Sequence, residues 1–113
     1  MTYKELNEKA NSLAYELRKN GVKNNTIVGI MQERSFEMMI AIIAVLKAGG
    51  SYIPIAPDYP DERIEYMLKD SNSSIVLTTN KDKIKTDKKI IDINLSSLIY
   101  NKNKENLENI SKQ

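Results

Sequence analysis

Four features of the sequence carry residue types that chemistry uses: Gly49-Gly50, Arg63, the pair Tyr52 and Tyr59, and the pair Asp58 and Asp61. A glycine pair can cradle a phosphate when it opens a helix and a Gly-Lys-Ser/Thr run follows. Here no such run follows, and the pair closes a helical pattern, so a helix stop with close backbone packing is the favoured reading. Arg63 could grip a carboxylate or phosphate, but its acidic neighbours Asp61, Glu62 and Glu65 favour a local ion pair or packing role. The two tyrosines could stack on a base, yet the flanking prolines make them turn-packing residues. Asp58 and Asp61 look like an acid pair; without a pocket or partner they read as a turn residue and a helix N-terminal residue. No residue is therefore assigned as catalytic, cofactor-binding or metal-binding.

Composition narrows the chemistry further. The chain has 113 residues, no Cys and no His, which removes disulfides, zinc fingers, thiol nucleophiles, Ser-His-Asp triads and imidazole bases together. No Asp-rich calcium loop is present. A net charge of +2 is too small to argue for nucleic acid, and the lysines between Lys81 and Lys89 are interleaved with Asp82 and Asp87, as in a solvated loop. The apolar run Met38 to Leu46 is far short of the ~20 residues that span a bilayer, and the N-terminus lacks a secretory pattern. A cytoplasmic location is the expectation, with neither nucleic acid nor membrane as partner. At this length there is one domain, whose folding buries roughly two-thirds of the unfolded surface.

Thr2-Tyr3-Lys4-Glu5 has the form of a capping box. After it Leu6, Ala10, Leu13, Ala14 and Leu17 fall on one helical stripe, and Gly21 ends a helix expected over about residues 3–20. Thr26 to Met31 is a β-branched apolar run without alternation, which suits a strand covered on both faces. The next helix, from about Ser35 to Ala48, has two apolar stripes. One is Phe36, Met39, Ile40, Ile43 and Leu46; the other is Met38, Ala41, Ile42 and Val45. A helix apolar most of the way round is expected to be sandwiched between the sheet and something else.

Ser51 to Ile55 is a second strand, expected to be stopped by Pro54 and Pro57. Pro57-Asp58-Tyr59-Pro60 turns into a third helix, with Pro60 supplying its first φ and Ile64, Met67 and Leu68 facing inward. Ser74 to Thr79 and Lys89 to Ile93 read as two more strands, and Leu95, Leu98, Ile99 and Tyr100 as one short packed turn. Residues 1–100 thus form the expected folded unit, and the polar stretch 101–113 a mobile tail. The element order predicts an α/β three-layer sandwich: a short, mainly parallel sheet with flanking helices and right-handed crossovers.

Four segments together resemble the amino-acid adenylation domains of non-ribosomal peptide synthetases. Thr2-Tyr3-Lys4-Glu5-Leu6 is similar to that family's first core motif, with Met1 in the place of its Leu. Thr26 to Ile30 is similar to its first strand. Leu46-Lys47-Ala48-Gly49-Gly50, followed by Tyr52-Ile53-Pro54, Pro57-Asp58-Tyr59-Pro60 and Arg63, is similar to the second core motif and carries most of the specificity. Ile75-Val76-Leu77-Thr78 fits the strand after it, and the likeness thins beyond about residue 80. Ala56 departs from an Asp usual between the two prolines, and Asn24-Asn25 from a Gly-containing turn.

The resemblance implies a Rossmann-like subdomain of the adenylate-forming fold. It also implies a parent enzyme in which an amino-acid carboxylate attacks the α-phosphate of ATP, with Mg²⁺. The acyl group then passes to the phosphopantetheine thiol of a carrier domain. The family's Gly/Ser/Thr-rich phosphate loop, ribose-binding Asp and late catalytic Lys match nothing here, so no residue inherits those roles. The expectation is a structural N-terminal fragment, inactive alone, whose partner is the remainder of the adenylation domain. Two alternatives stay open: a fragment of an acyl-CoA or aryl-acid ligase, and a freestanding α/β interaction module. Self-association is expected through Met38, Ile42 and Val45, should that stripe lie open.

Overall fold

The computed structural model describes residues 1–104. Helix α1 spans Tyr3–Lys19, strand β1 Ile27–Met31, helix α2 Phe36–Lys47, strand β2 Ser51–Ile55, helix α3 Asp61–Asp70, strand β3 Ile75–Thr78 and strand β4 Lys89–Asp92. Short 3₁₀ turns lie at Lys81–Lys83 and Leu98–Asn101.

The expected capping box forms. The Thr2 hydroxyl accepts from the Glu5 N–H at 3.1 Å, and the Glu5 carboxylate accepts from the Thr2 N–H at 3.4 Å. The same Thr2 contacts hold the Glu5 carboxyl below its ordinary range. Ser35 caps α2 by accepting from the Met38 N–H at 3.2 Å. Pro60 stands one position earlier than expected, as the residue before α3 rather than its first. Asn25 takes the left-handed backbone of its turn, φ 73°. The Ala56 turn also closes without an Asp, through the Tyr59 N–H donating to the Ala56 carbonyl at 3.1 Å.

All strand pairs are parallel, in the order β2-β1-β3-β4. The alternating pleat assigns the two faces. Val28, Ile30, Ile75, Leu77 and Ile91 pack against α1 and α2, while Met31, Ile55 and Val76 pack against Ile64 and Leu68 of α3. The β1-to-β2 and β2-to-β3 crossovers run in opposite directions along the sheet over opposite faces. That keeps them the same hand. Helices, sheet and helix make three layers, as expected. Pro54 does not stop β2; it pairs in register with Ile30 inside the strand. An edge strand tolerates it because its outer row of backbone groups has no ladder to complete.

Gly29 faces α3, and a Cβ there would stand 2.9 Å from Leu68 Cδ2, so the glycine sets how close the helix lies. Gly50 is tighter in its surroundings: a Cβ would meet Val22 Cγ1 at 2.9 Å and the Thr26 carbonyl at 3.0 Å. Gly50→Ala is expected to lower stability by ~1–3 kcal/mol through overpacking. Gly21→Ala meets nothing within 4 Å and carries only the strain of its φ of 95°, ~1 kcal/mol. Urea unfolding of both variants checks the order, and an equal or smaller loss at Gly50 would contradict it.

Two expectations about packing need correction. Val45 is wholly buried, and Met38 and Ile42 are half-buried against the core, so the stripe they form is not the open one. The open side of α2 carries Phe36, Met39 and Leu46, at 49%, 48% and 58% exposure, with Ile43 half-buried among them. Ala41 and Ala44 of α2 and Ala48, which caps it, are buried in one cluster with Ala10 and Ala14 of α1, and these small residues let the two helices lie close. Their contact, together with the sheet, sets the buried side. Secondly, of the expected C-terminal turn Leu95, Ile99 and Tyr100 pack against the core, but Leu98 does not and is 73% exposed. Burial, and after it the charges of Glu37 and Asp92, push the Tyr100 hydroxyl well above its ordinary pKa. It remains a neutral donor to the Ile93 carbonyl at 2.8 Å. Of the expected tail, residues 105–113 lie outside the described residues; Lys104 is tied to α1 through its carbonyl, which accepts from Asn11 Nδ2 at 2.8 Å.

Candidate functional site

In an open parallel sheet, ligands bind beyond the carboxyl ends of the strands, where two neighbouring strands send their chains in opposite directions. Here those strands are β1, which leads toward β2, and β3, which leads toward β4. A crevice of about 170 Å³ opens at that point, lined by Met31, Gln32, Glu33, Pro57 and residues 78–80. Gln32 spans it. Its Oε1 accepts from both the N–H and the hydroxyl of Thr79, each at 3.0 Å. On the far side Asn94 Nδ2 donates to the Thr79 carbonyl at 3.2 Å and to Asp92 Oδ1 at 2.9 Å. The loops after β1, β3 and β4 are thereby laced together by amides.

A second crevice, about 290 Å³, shares Gln32 and runs toward Arg34, Met38, Pro54, Ile55 and Tyr59. Small-molecule sites commonly start near 300 Å³. The first crevice is well below that size and already bridged by a side chain. Its geometry suits holding loops in place better than holding a substrate. Gln32→Leu keeps the approximate size but leaves the Thr79 donors without their acceptor, an expected loss of ~1–3 kcal/mol. Chemical unfolding reads it, and a variant as stable as the parent would show that Gln32 does not tie the loops.

Of the residues singled out from sequence, Tyr59 and Arg63 come together, but the set forms no common site. Gly49 and Gly50 sit at the opposite, amino end of the strands, where α2 stops. Gly49 has φ 94°; its N–H donates to the Leu46 carbonyl at 3.1 Å, and the Gly50 N–H to the Val45 carbonyl at 3.0 Å. This is the hydrogen-bond pattern of a Schellman helix stop. Both donors that a phosphate would need are committed to the helix. Gly21-Val22 closes α1 and Asn72-Ser73 closes α3 in the same way. The Arg63 guanidinium lies 4.1 Å from the centre of the Tyr59 ring, a local stack and not an anion grip. Tyr52, Asp58 and Asp61 are exposed. Among the described residues no group of three His, Cys, Asp or Glu side chains could hold a metal ion. The glycine pair and Arg63 thus form no phosphate cradle, and no step through a nucleotide is derived from them. Among the described residues no helix is long and apolar enough to cross a membrane.

Gln32, Thr79 and Asn94 were not singled out from sequence. One signal was present: Gln32 is the first polar residue after an unbroken apolar strand, the position where a parallel sheet presents its carboxyl end.

Comparison with known proteins adds the following. The family model described as AMP-binding enzyme matches residues 1–112. Bacitracin synthase 2 of Bacillus licheniformis is 50% identical over 112 residues, which cover 99% of this chain and 4% of that protein. Tyrocidine synthase 2 of Brevibacillus parabrevis is 62% identical over 78 residues, 69% of this chain and 2% of that protein. Among solved structures, the N-terminal subdomain of Klebsiella oxytoca NpsA superposes with a TM-score of 0.77 at 25% identity, covering 94% of this chain and 27% of that one. The non-ribosomal peptide synthetase FmoA3 gives a TM-score of 0.79 at 30% identity over 83% of this chain and 10% of its own. The chain thus spans a small part of the length of each of these proteins.

Proposed function

The chain belongs to the AMP-binding enzyme family, as the N-terminal part of an adenylation domain of the non-ribosomal peptide synthetase kind, and from that we propose that it supplies scaffold to an amino-acid-activating ligase without itself handling nucleotide. In this reading the longer protein joins an amino acid to the adenylyl group of ATP, with Mg²⁺, and hands the acyl group to a carrier-domain thiol. The present residues build the parallel sheet and its helix stops, and chain beyond them holds the ATP and the metal.

The observation that carries the reading is 50% identity along nearly the whole chain to a peptide synthase of which it spans 4%. The commitment of the Gly49 and Gly50 N–H groups to a helix stop supports the scaffold half of it. Amino-acid activation is preferred over acyl-CoA or aryl-acid ligation because relatives 43–62% identical include bacitracin, tyrocidine and mycosubtilin synthases. Self-association, if it occurs, would not use the Met38, Ile42 and Val45 stripe, whose Val45 is closed inside the core. The test is pyrophosphate exchange into ATP by the longer gene product across a panel of amino acids. Exchange that responds to one or a few amino acids is expected; exchange that responds only to aryl or fatty acids would overturn the amino-acid reading.

A further inference from the structure

On the outward side of α2, Phe36, Met39, Ile43 and Leu46 follow one another at intervals of three, four and three residues. Such spacing keeps side chains on one stripe for nearly three turns, ~15 Å. No polar residue interrupts the stripe, and three of its four members are about half exposed or more. The polar residues of the helix, Glu37 and Lys47, each follow a stripe residue by one position and so fall off the stripe; both are partly buried. A helix whose solvent side is apolar has its pattern inverted relative to an ordinary surface helix.

We propose that this stripe seats a helix contributed by the part of the adenylation domain beyond this chain; the proposal rests on the adenylation-domain reading above. Alternating three- and four-residue spacing is the seam that receives another helix at a shallow crossing angle, its side chains entering between Phe36, Met39, Ile43 and Leu46. The occupant follows from length and area. A solved subdomain of this kind is about three and a half times as long, since 94% of this chain covers 27% of it. A second copy is the weaker occupant. Four apolar side chains bury at most a few hundred Å² per partner, short of the ~800 Å² per partner of a stable association. A covalently continuous segment needs no such area, because its docking is intramolecular.

The experiment places a photoreactive benzophenone residue at Met39 or at Leu46 of the longer gene product, with Leu98 as an exposed control, and reads crosslinked peptides by mass spectrometry. Met39 and Leu46 are seven residues apart. Both are expected to crosslink within the same molecule to one downstream segment, at sites about seven residues apart along it. Crosslinks between two copies, sites scattered over unrelated segments, or none at all in a protein that still exchanges pyrophosphate would each overturn the proposal. Crosslinks as expected in a protein without amino-acid-dependent exchange would leave the helix seat standing and remove the activity assignment. Should the bulky label prevent folding, Met39→Cys serves instead, since residues 1–113 contain no cysteine. Its alkylation is expected to be about ten-fold slower or more in the longer product than in the 113-residue chain; equal rates would again overturn the proposal.

Discussion

Purified residues 1–113 are expected to give no amino-acid-dependent exchange of pyrophosphate into ATP, at any amino acid, while the longer gene product does. The reasoning is electrostatic. Adenylate formation builds negative charge on the α-phosphate and the departing pyrophosphate, and catalysis requires donors or cations fixed opposite that charge before the reaction begins. The glycine pair most like a phosphate cradle has both N–H groups bound at 3.0–3.1 Å to the last carbonyls of α2. Freeing them would unwind the end of the helix. Arg63 is stacked on Tyr59, and the crevice at the strand ends is closed across by Gln32. Enzymes of this kind accelerate by at least ~10⁶, so loss of the preorganised charge leaves nothing above background. Exchange by residues 1–113 that depends on an added amino acid, and survives repurification, would sink the scaffold reading. Isothermal titration with a non-hydrolysable ATP analogue gives an independent check, with no saturable heat expected.

The second large effect is on stability. Leu13→Ala is expected to destabilise the chain by ~2–5 kcal/mol, because it deletes buried methyl groups where the wall around them relaxes only in part. Leu13 is fully buried in the larger of the two apolar clusters, on the face of α1 turned toward α2 and the sheet. A domain of this size has ~5–15 kcal/mol in total, so the loss is a substantial fraction of its margin. Melting temperature should fall by about 4–8 °C for each kcal/mol. Leu98→Ala, at a side chain 73% exposed, should stay within ~0.5 kcal/mol of the parent. Urea unfolding of the pair separates burial from mere truncation of a leucine, and at Leu13, inside α1, helix propensity alone would make the change neutral or stabilising. A Leu13→Ala loss under ~1 kcal/mol would mean that α1 is not anchored as the structure places it.

Much of this protein is local, and what is local was legible. The capping box at Thr2 and Glu5 and the left-handed stops at Gly21 and Gly49 involve residues within a few positions of one another. The apolar runs of β1 and β3 and the spacing of Leu46 to Arg63 are equally short-range, and they sufficed for the element order, the α/β class and the family. Other features were decided only in three dimensions. Both stripes of α2 are apolar, and periodicity within one helix carries no sign; the buried side was chosen by α1 packing against Ala41, Ala44 and Ala48. Pro54 looks like a strand breaker until β2 is seen at the sheet's edge. Gln32 and Thr79 are forty-seven positions apart, and only the 2-1-3-4 strand order sets their loops side by side. Hydrogen-bonded turns are encoded by neighbours in the chain, whereas the choice of face and of loop partner depends on contacts between segments that no short-range pattern records.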